Sequence, residues 1–196
     1  KYIAFLDDDD EWFSPKIKLQ LKAMMKDNRI GLCSTKYIDV SGNKKMERNG
    51  VGTSTVMVTA KCLKDVGLFD EKLTCAEDRD LYQRILKKYK KCFVDKVLAK
   101  HYIHKGQISS DIDKKIESEK YFIEKNRFDL KRGGMLHGHY FNLGSLFLKN
   151  GNFNEAKIYL KKSIQSKNNF LLAKTYLILT NFSPNLFRRF LLKFGR

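Results

Sequence analysis

Tyr2 to Leu6 is a continuous apolar run that stops at Asp7-Asp8-Asp9-Asp10-Glu11. An unbroken run of this kind predicts a short strand buried on both faces of a sheet, as in parallel α/β proteins. Ser14 follows as a candidate N-cap with Pro15 in the first helical position, and Ile17, Leu21 and Met24 recur at helical spacing towards Asp27. Residues 31–40 predict a second strand, closed by a Ser41-Gly42-Asn43 turn. Residues 53–59 are rich in β-branched side chains and predict a third strand. Residues 60–66 predict a short helix stopped by Gly67, and residues 77–89 a helix with Leu81, Ile85 and Tyr82 turned inward. Residues 93–98 predict a further strand. From residue 111 the period becomes helical and stays so: residues 111–130 form a charged amphipathic helix with Ile112, Ile116 and Ile123 on one side, broken by Gly133-Gly134. The fold class is therefore α/β in front, followed by an all-α helical-hairpin tail. The expected divisions are 1–108, a linking helix over 109–134, and a tail over 135–196.

Charge sharpens this division. The formal net charge is +17, from 39 Lys+Arg against 22 Asp+Glu. Residues 1–80 are balanced at 14 basic and 14 acidic side chains, whereas residues 81–196 carry 25 and 8. The whole excess lies behind the acidic segments. A 42% hydrophobic share excludes a wholly disordered chain. No run reaches the roughly 18 apolar residues that a spanning helix needs. The chain opens on Lys1 with no signal-peptide pattern and reads as a fragment of a longer protein. Cys33, Cys62, Cys75 and Cys92 show no C-x-x-C pair, so they read as reduced, mostly buried thiols of a cytoplasmic protein.

Five consecutive carboxylates repel one another, and solvent, basic neighbours or a cation must relieve them. At the carboxyl end of a strand, a D-x-D pair can hold a divalent ion that in turn holds a diphosphate. A solvated acidic loop that caps the next helix is the competing reading. An EF-hand fails, because the sixth and twelfth loop positions counted from Asp7 hold Trp12 and Lys18. A phosphatase of the haloacid dehalogenase type starts from a similar strand-end D-x-D, but here Asp10-Glu11-Trp12 follow it. A second cluster, Glu77-Asp78-Arg79-Asp80, stands at a helix start. It reads as first-turn acids favoured by the dipole or as a general base facing a cleft.

Taken together, these segments resemble glycosyltransferase family 2. The residues that carry the resemblance are Ile3-Ala4-Phe5-Leu6-Asp7-Asp8-Asp9-Asp10-Glu11-Trp12 with Pro15-Lys16-Ile17, then Thr53-Ser54-Thr55-Val56-Met57-Val58, Val66-Gly67-Leu68-Phe69-Asp70-Glu71 and Glu77-Asp78-Arg79-Asp80-Leu81-Tyr82-Gln83-Arg84. The resemblance covers about residues 1–108 and implies the C-terminal half of a GT-A domain without its N-terminal half. It implies inverting transfer of a sugar from a nucleotide-sugar donor to a hydroxyl of a saccharide or lipid-linked acceptor. Asp9 would be the main ligand of a manganese or magnesium ion, with Asp7 and His104 supporting it. Asp7, Asp8 and Asp10 would face the donor, Asp78 would be the general base, and Glu77 would orient it. Trp12 would pack against the acceptor or within the core. His101 and His104 are placed just after the last strand, near the diphosphate or on a basic loop. The fragment alone is expected to be inactive. A non-catalytic scaffold using the helical tail is the alternative.

The tail has its own signature. Tyr140-Phe141-Asn142-Leu143-Gly144, Phe147, Gly151, Phe153, Ala156 and Leu160 resemble one tetratricopeptide repeat, with Asn168 where the repeat usually has Pro. Residues 170–182 fit the first helix of a second unit. Residues 185–194 form a basic, apolar-rich segment that either lies in a membrane interface or caps the helical array. The expected address is cytoplasmic, peripheral to the cytoplasmic face of a membrane or bound to a protein partner. No base-reading motif points to nucleic acid.

Overall fold

The computed structural model describes residues 1–104 and 111–194. Its elements fall into two units: one gathers Lys1–Glu71 with the chain from Glu77 through the last strand, the other gathers Lys72–Ala76 with the C-terminal helices.

The first unit is a six-stranded mixed sheet. Its strands are β1 (Tyr2–Ala4), β2 (Glu11–Trp12), β3 (Ile30–Ser41), β4 (Lys44–Asn49), β5 (Met57–Thr59) and β6 (Lys90–Tyr102). The order is β1-β5-β3-β6-β2, with β4 paired to β3. The long strands β3 and β6 are parallel neighbours, and every other pairing is antiparallel. Strand alternation sorts the core onto two faces. Leu32 and Val58 meet α2 (Ala60–Val66) and α3 (Glu77–Leu86) through Cys62, Leu63, Leu81, Tyr82 and Ile85. Cys33 and Met57, one residue over on each strand, join Met24 of α1 (Lys16–Met24).

Several expectations are corrected. The Tyr2–Leu6 run yields a strand at the path's end, antiparallel to β5, with Ile3 and Leu6 exposed. Ser14 does not cap α1; Pro15 holds the N-cap position with no side-chain bond, so the first turn rests on backbone bonds from Lys16 N–H to Phe13 O and Leu19 N–H to Pro15 O. The buried stripe of α1 is Lys16, Gln20 and Met24, while Ile17 is exposed. Residues 53–59 are not one strand. Thr55 Oγ1 donates to Gly52 O at 2.7 Å and accepts Gly52 N–H at 3.1 Å, which coils Thr53–Thr55 into a 3-10 turn before β5. Strand β4 was not expected, since Lys-Lys-Met-Glu-Arg-Asn shows no apolar alternation; it forms by hairpin pairing across Gly42, whose φ of 55° suits the turn. His101 lies within β6 and only His104 follows it. All four cysteines are free, with Cys33 and Cys62 buried and the other two half-buried.

The second unit carries the helices α4 (Ile112–Arg132), α5 (Leu136–Asn150), α6 (Phe153–Ser166), α7 (Leu171–Phe182) and α8 (Pro184–Phe194). Asp111 caps α4 by accepting Asp113 N–H and Lys114 N–H at 3.0 and 3.1 Å. Helix α4, read from the sequence as a connection, sends Ile116, Phe122, Ile123 and Leu130 into the same core as Leu143, Phe147, Leu160 and Leu191. Gly151 ends α5 at φ 83°, and Asn152 caps α6 through Glu155 N–H at 3.2 Å. Gly144 is where the two helices meet. A Cβ there would lie 3.0 Å from Leu160 Cγ and 3.3 Å from Ala156 O. The segment Lys72–Ala76 belongs here too: Leu73 enters this core, and Ser118 Oγ accepts Cys75 N–H at 3.0 Å beside Thr74 Oγ1 at 3.1 Å.

Candidate functional site

The acidic run becomes a turn that leaves β1 and enters β2. Asp10 N–H donates to Asp7 O at 3.1 Å, which closes the turn, and Asp7 N–H donates to Ser54 Oγ at 3.0 Å. The carboxylates then separate by partner. Asp9 Oδ2 lies 2.8 Å from His104 Nε2, Asp10 Oδ1 accepts Tyr102 N–H at 3.2 Å, and Glu11 meets Lys100 Nζ at 2.6 Å and Tyr102 O–H at 2.9 Å. Strand β6 and His104, two residues beyond it, thus relieve much of the repulsion. Asp8 stands exposed on the turn.

Asp78 comes to the same place from the start of α3. Ala76, two residues earlier, has φ 63°, the one described non-glycine residue in the left-handed region. Asp78 Oδ1 accepts Arg79 N–H at 2.6 Å. Burial raises the Asp78 carboxyl above its ordinary range, and the charges of Glu77 and Asp7 add to the rise against the Arg79 bond. Burial, then Asp10 and Asp9, raise Asp7 against its Ser54 bond, with Glu77 adding to the rise. The two clusters therefore feel each other electrostatically.

A cavity of about 180 Å³ lies between them, lined by Asp7, Asp10, Asp78, Tyr37, Thr53 and His101, with Gly52, Ser54, Thr55 and Ala99 completing the wall. Asp8, Asp9, Glu77, His104 and Trp12 lie outside this lining. Trp12 spends its indole N–H on Ser54 O at 2.7 Å, and Lys16 Nζ sits 4.2 Å from its ring centroid. Lys16, fully buried, donates to Gln20 Oε1 at 2.8 Å, and Gln20 Nε2 donates onward to Cys33 O and Thr55 O at 2.9 and 3.0 Å. Trp12 and Gln20 thus hold the Ser54–Thr55 backbone, which forms part of the cavity wall, through its carbonyls.

Two features escaped the sequence. His101 Nδ1 lies 2.9 Å from Asp39 Oδ1, and Asp39 Oδ2 accepts Arg48 Nε–H at 2.8 Å. Burial alone would raise the Asp39 carboxyl, but the bonds from His101 and Arg48 hold it below its usual value. This fixes the His101 ring at the cavity edge. The Ser41-Gly42-Asn43 turn was the available signal, because such a turn implies a returning strand that carries Arg48. The second feature is Arg84. Its Nε donates to Asp80 at 2.8 Å, and its two terminal nitrogens donate to the carbonyls of Val66, Gly67 and Leu68.

The donor chemistry suits a hard divalent cation, since Asp7, Asp10 and Asp78 offer carboxylate oxygens and two of them are destabilised as anions. Among the described residues no three His, Cys, Asp or Glu converge as a ready-made cage. Magnesium does not require one, being commonly held by one or two carboxylates and substrate phosphates.

Residues 140–170 match the tetratricopeptide repeat. The match covers most of α5, all of α6 and the turn after it. Comparison with curated proteins gives no significant match. Among the described residues no helix is long and apolar enough to cross a membrane.

Proposed function

We propose that the chain serves metal-dependent, inverting transfer of a sugar from a nucleotide-sugar donor to the hydroxyl of a saccharide or lipid-linked acceptor in glycan synthesis. The observation that carries this reading is the convergence of Asp7 and Asp10, from the strand-end turn, with Asp78, from the start of α3, on one cavity. Asp7, on the cavity wall, would hold a magnesium or manganese ion, with Asp9 joining it from the same turn although its carboxylate lies outside that wall, in 2.8 Å contact with His104. Such an ion supplies charge neutralisation to a departing nucleoside diphosphate. Asp78 accepts the proton of the acceptor hydroxyl, and its raised pKa makes it a stronger base than an ordinary aspartate. Glu77 adds to that rise by its charge. Asp10, tied to Tyr102 N–H, shapes the turn. The cavity is smaller than the roughly 300–1,000 Å³ of complete ligand pockets, so it suits the reacting centre and not the whole donor.

The test is thermal melting with Mn²⁺ and UDP or GDP. The nucleotides should raise Tm only with the ion present, and Asp9→Asn should abolish the shift. Asp78→Asn should keep the shift. Without ligand it should melt above the parent at neutral pH. The native state holds the Asp78 proton more tightly than the unfolded chain, so ionisation there costs stability. A nucleotide shift that ignores both the ion and Asp9→Asn refutes the proposal. A scaffold role is the second reading, favoured by the tetratricopeptide match. It predicts partner capture that survives both substitutions.

A further inference from the structure

Helix α7 is apolar on both sides. Ala173 and Thr180 are fully buried on its inner face. Its outer face carries Leu171, Ile178 and Phe182, seven and then four residues apart, with Leu172 and Leu179 beside them. All five are exposed, Phe182 at 86% and Leu171 at 74%. Helix α8 repeats the arrangement: Phe187 and Leu191 pack inward, while Leu186 and Phe190 stand outward at i, i+4 with Leu186 67% exposed. Exposed apolar stripes of this kind mark surfaces that are covered in use.

The charge on these two helices is of one sign. Glu155 is the last acidic residue, and nine Lys and Arg follow it with no Asp or Glu. Arg189 and Lys193 flank the Leu186–Phe190 ridge on α8 by helical geometry. A second copy docking here would bring cations against cations. A phospholipid surface instead offers anions beside an apolar layer. The helices, of 12 and 11 residues, are too short to span it and would lie in its plane.

We infer that the outward face of α7, with the Leu186–Phe190 ridge of α8, docks on an anionic phospholipid surface. This shifts the contact away from α8 alone, since Phe187 and Leu191 of that helix are used in packing. The inference is independent of the sugar-transfer reading and is tested without any donor. The purified chain is sedimented with vesicles of phosphatidylcholine alone and of phosphatidylcholine with phosphatidylglycerol. Binding should require the anionic lipid and weaken as salt rises. Ile178→Ser with Phe182→Ser should lower partitioning by about tenfold or more, from the apolar area withdrawn from the bilayer. Arg189→Glu with Lys193→Glu should lower it too, while circular dichroism stays parental for both pairs. No sedimentation with anionic vesicles overturns the inference. So does binding unchanged by Ile178→Ser with Phe182→Ser, or a dimer in light scattering that this pair dissolves without any vesicle binding.

Discussion

Replacing Lys16 with Met removes a fully buried cation while keeping a long, flexible side chain. Burial lowers the Lys16 pKa from 10.5 to about 8, with Cys33 acting weakly the other way. Below pH 8 both native and unfolded chains carry this proton, and Lys16 adds no pH dependence. Between about 8 and 10.5 the unfolded chain binds the proton and the native chain does not, so stability climbs with pH. A gap of roughly two and a half pH units corresponds to about 3 kcal/mol over the window. The substitution has its own costs. It takes the Lys16 donor from the Gln20 carboxamide, worth about 1–3 kcal/mol if that buried oxygen goes unbonded, and removes the contact with Trp12, worth about 1–2 kcal/mol. At neutral pH these roughly offset the relief of a charge held in the core, so parent and variant should be similar. Urea unfolding at half-unit steps from pH 6.5 to 10.5 measures the difference. Tyrosine and cysteine titrations common to both proteins cancel in it. The parent should gain about 3 kcal/mol on the variant by pH 10.5. A difference that is flat across the range, or that shrinks as pH rises, would show that Lys16 is not held as an unpaired cation and would refute the reasoning.

Two further outcomes test the frame around the site and the helical unit. Arg84→Met takes the guanidinium from Asp80, a carboxylate only 1% exposed, and from three carbonyls at the end of α2; a loss of about 3 kcal/mol in denaturant unfolding is expected, partly recovered by Asp80→Asn in the same chain. Gly144→Val places a branched side chain where even a Cβ would lie 3.0 Å from Leu160 and 3.3 Å from the Ala156 carbonyl, so the Tm should fall with a loss of about 2 kcal/mol or more; a variant as stable as the parent would mean the α5–α6 crossing has slack.

The helical unit was legible because its rules are local. Asn142-Leu143-Gly144 and Ala156 announce a close crossing by size alone, and residues 140–170 match the repeat they suggested. The α/β core was legible where helical spacing and burial agree, as at Leu81 and Ile85 of α3. On α1 spacing found Met24 and Leu21 but missed two buried positions, because hydropathy counts Lys16 and Gln20 as outward-facing. The Gln20 amide is instead called inward by two carbonyls, one of them at the end of the Thr53–Thr55 turn, which no periodicity predicts. The carboxylates of the site were visible as residue types in two clusters. That Asp7, Asp10 and Asp78 rather than Asp9 and Glu77 line the cavity depends on side-chain direction at a turn and a helix start, which spacing does not encode. His101 with Asp39 and Arg48 needs three strands in register, and one of those strands has no hydrophobic pattern at all.

The stretch Lys72–Ala76 has a consequence for how this molecule can be divided. It sits in the middle of the α/β sequence yet is held by Ser118 and by the helical core through Leu73. The chain therefore passes from one unit to the other, back, and over again, so no single cut separates two self-sufficient pieces. Trimming away the helices would strip Leu73 of its packing and Cys75 of the Ser118 bond, just ahead of Glu77 and Asp78. Dividing the chain at residue 108 would therefore leave Lys72–Ala76 without the groups it packs on and bonds to.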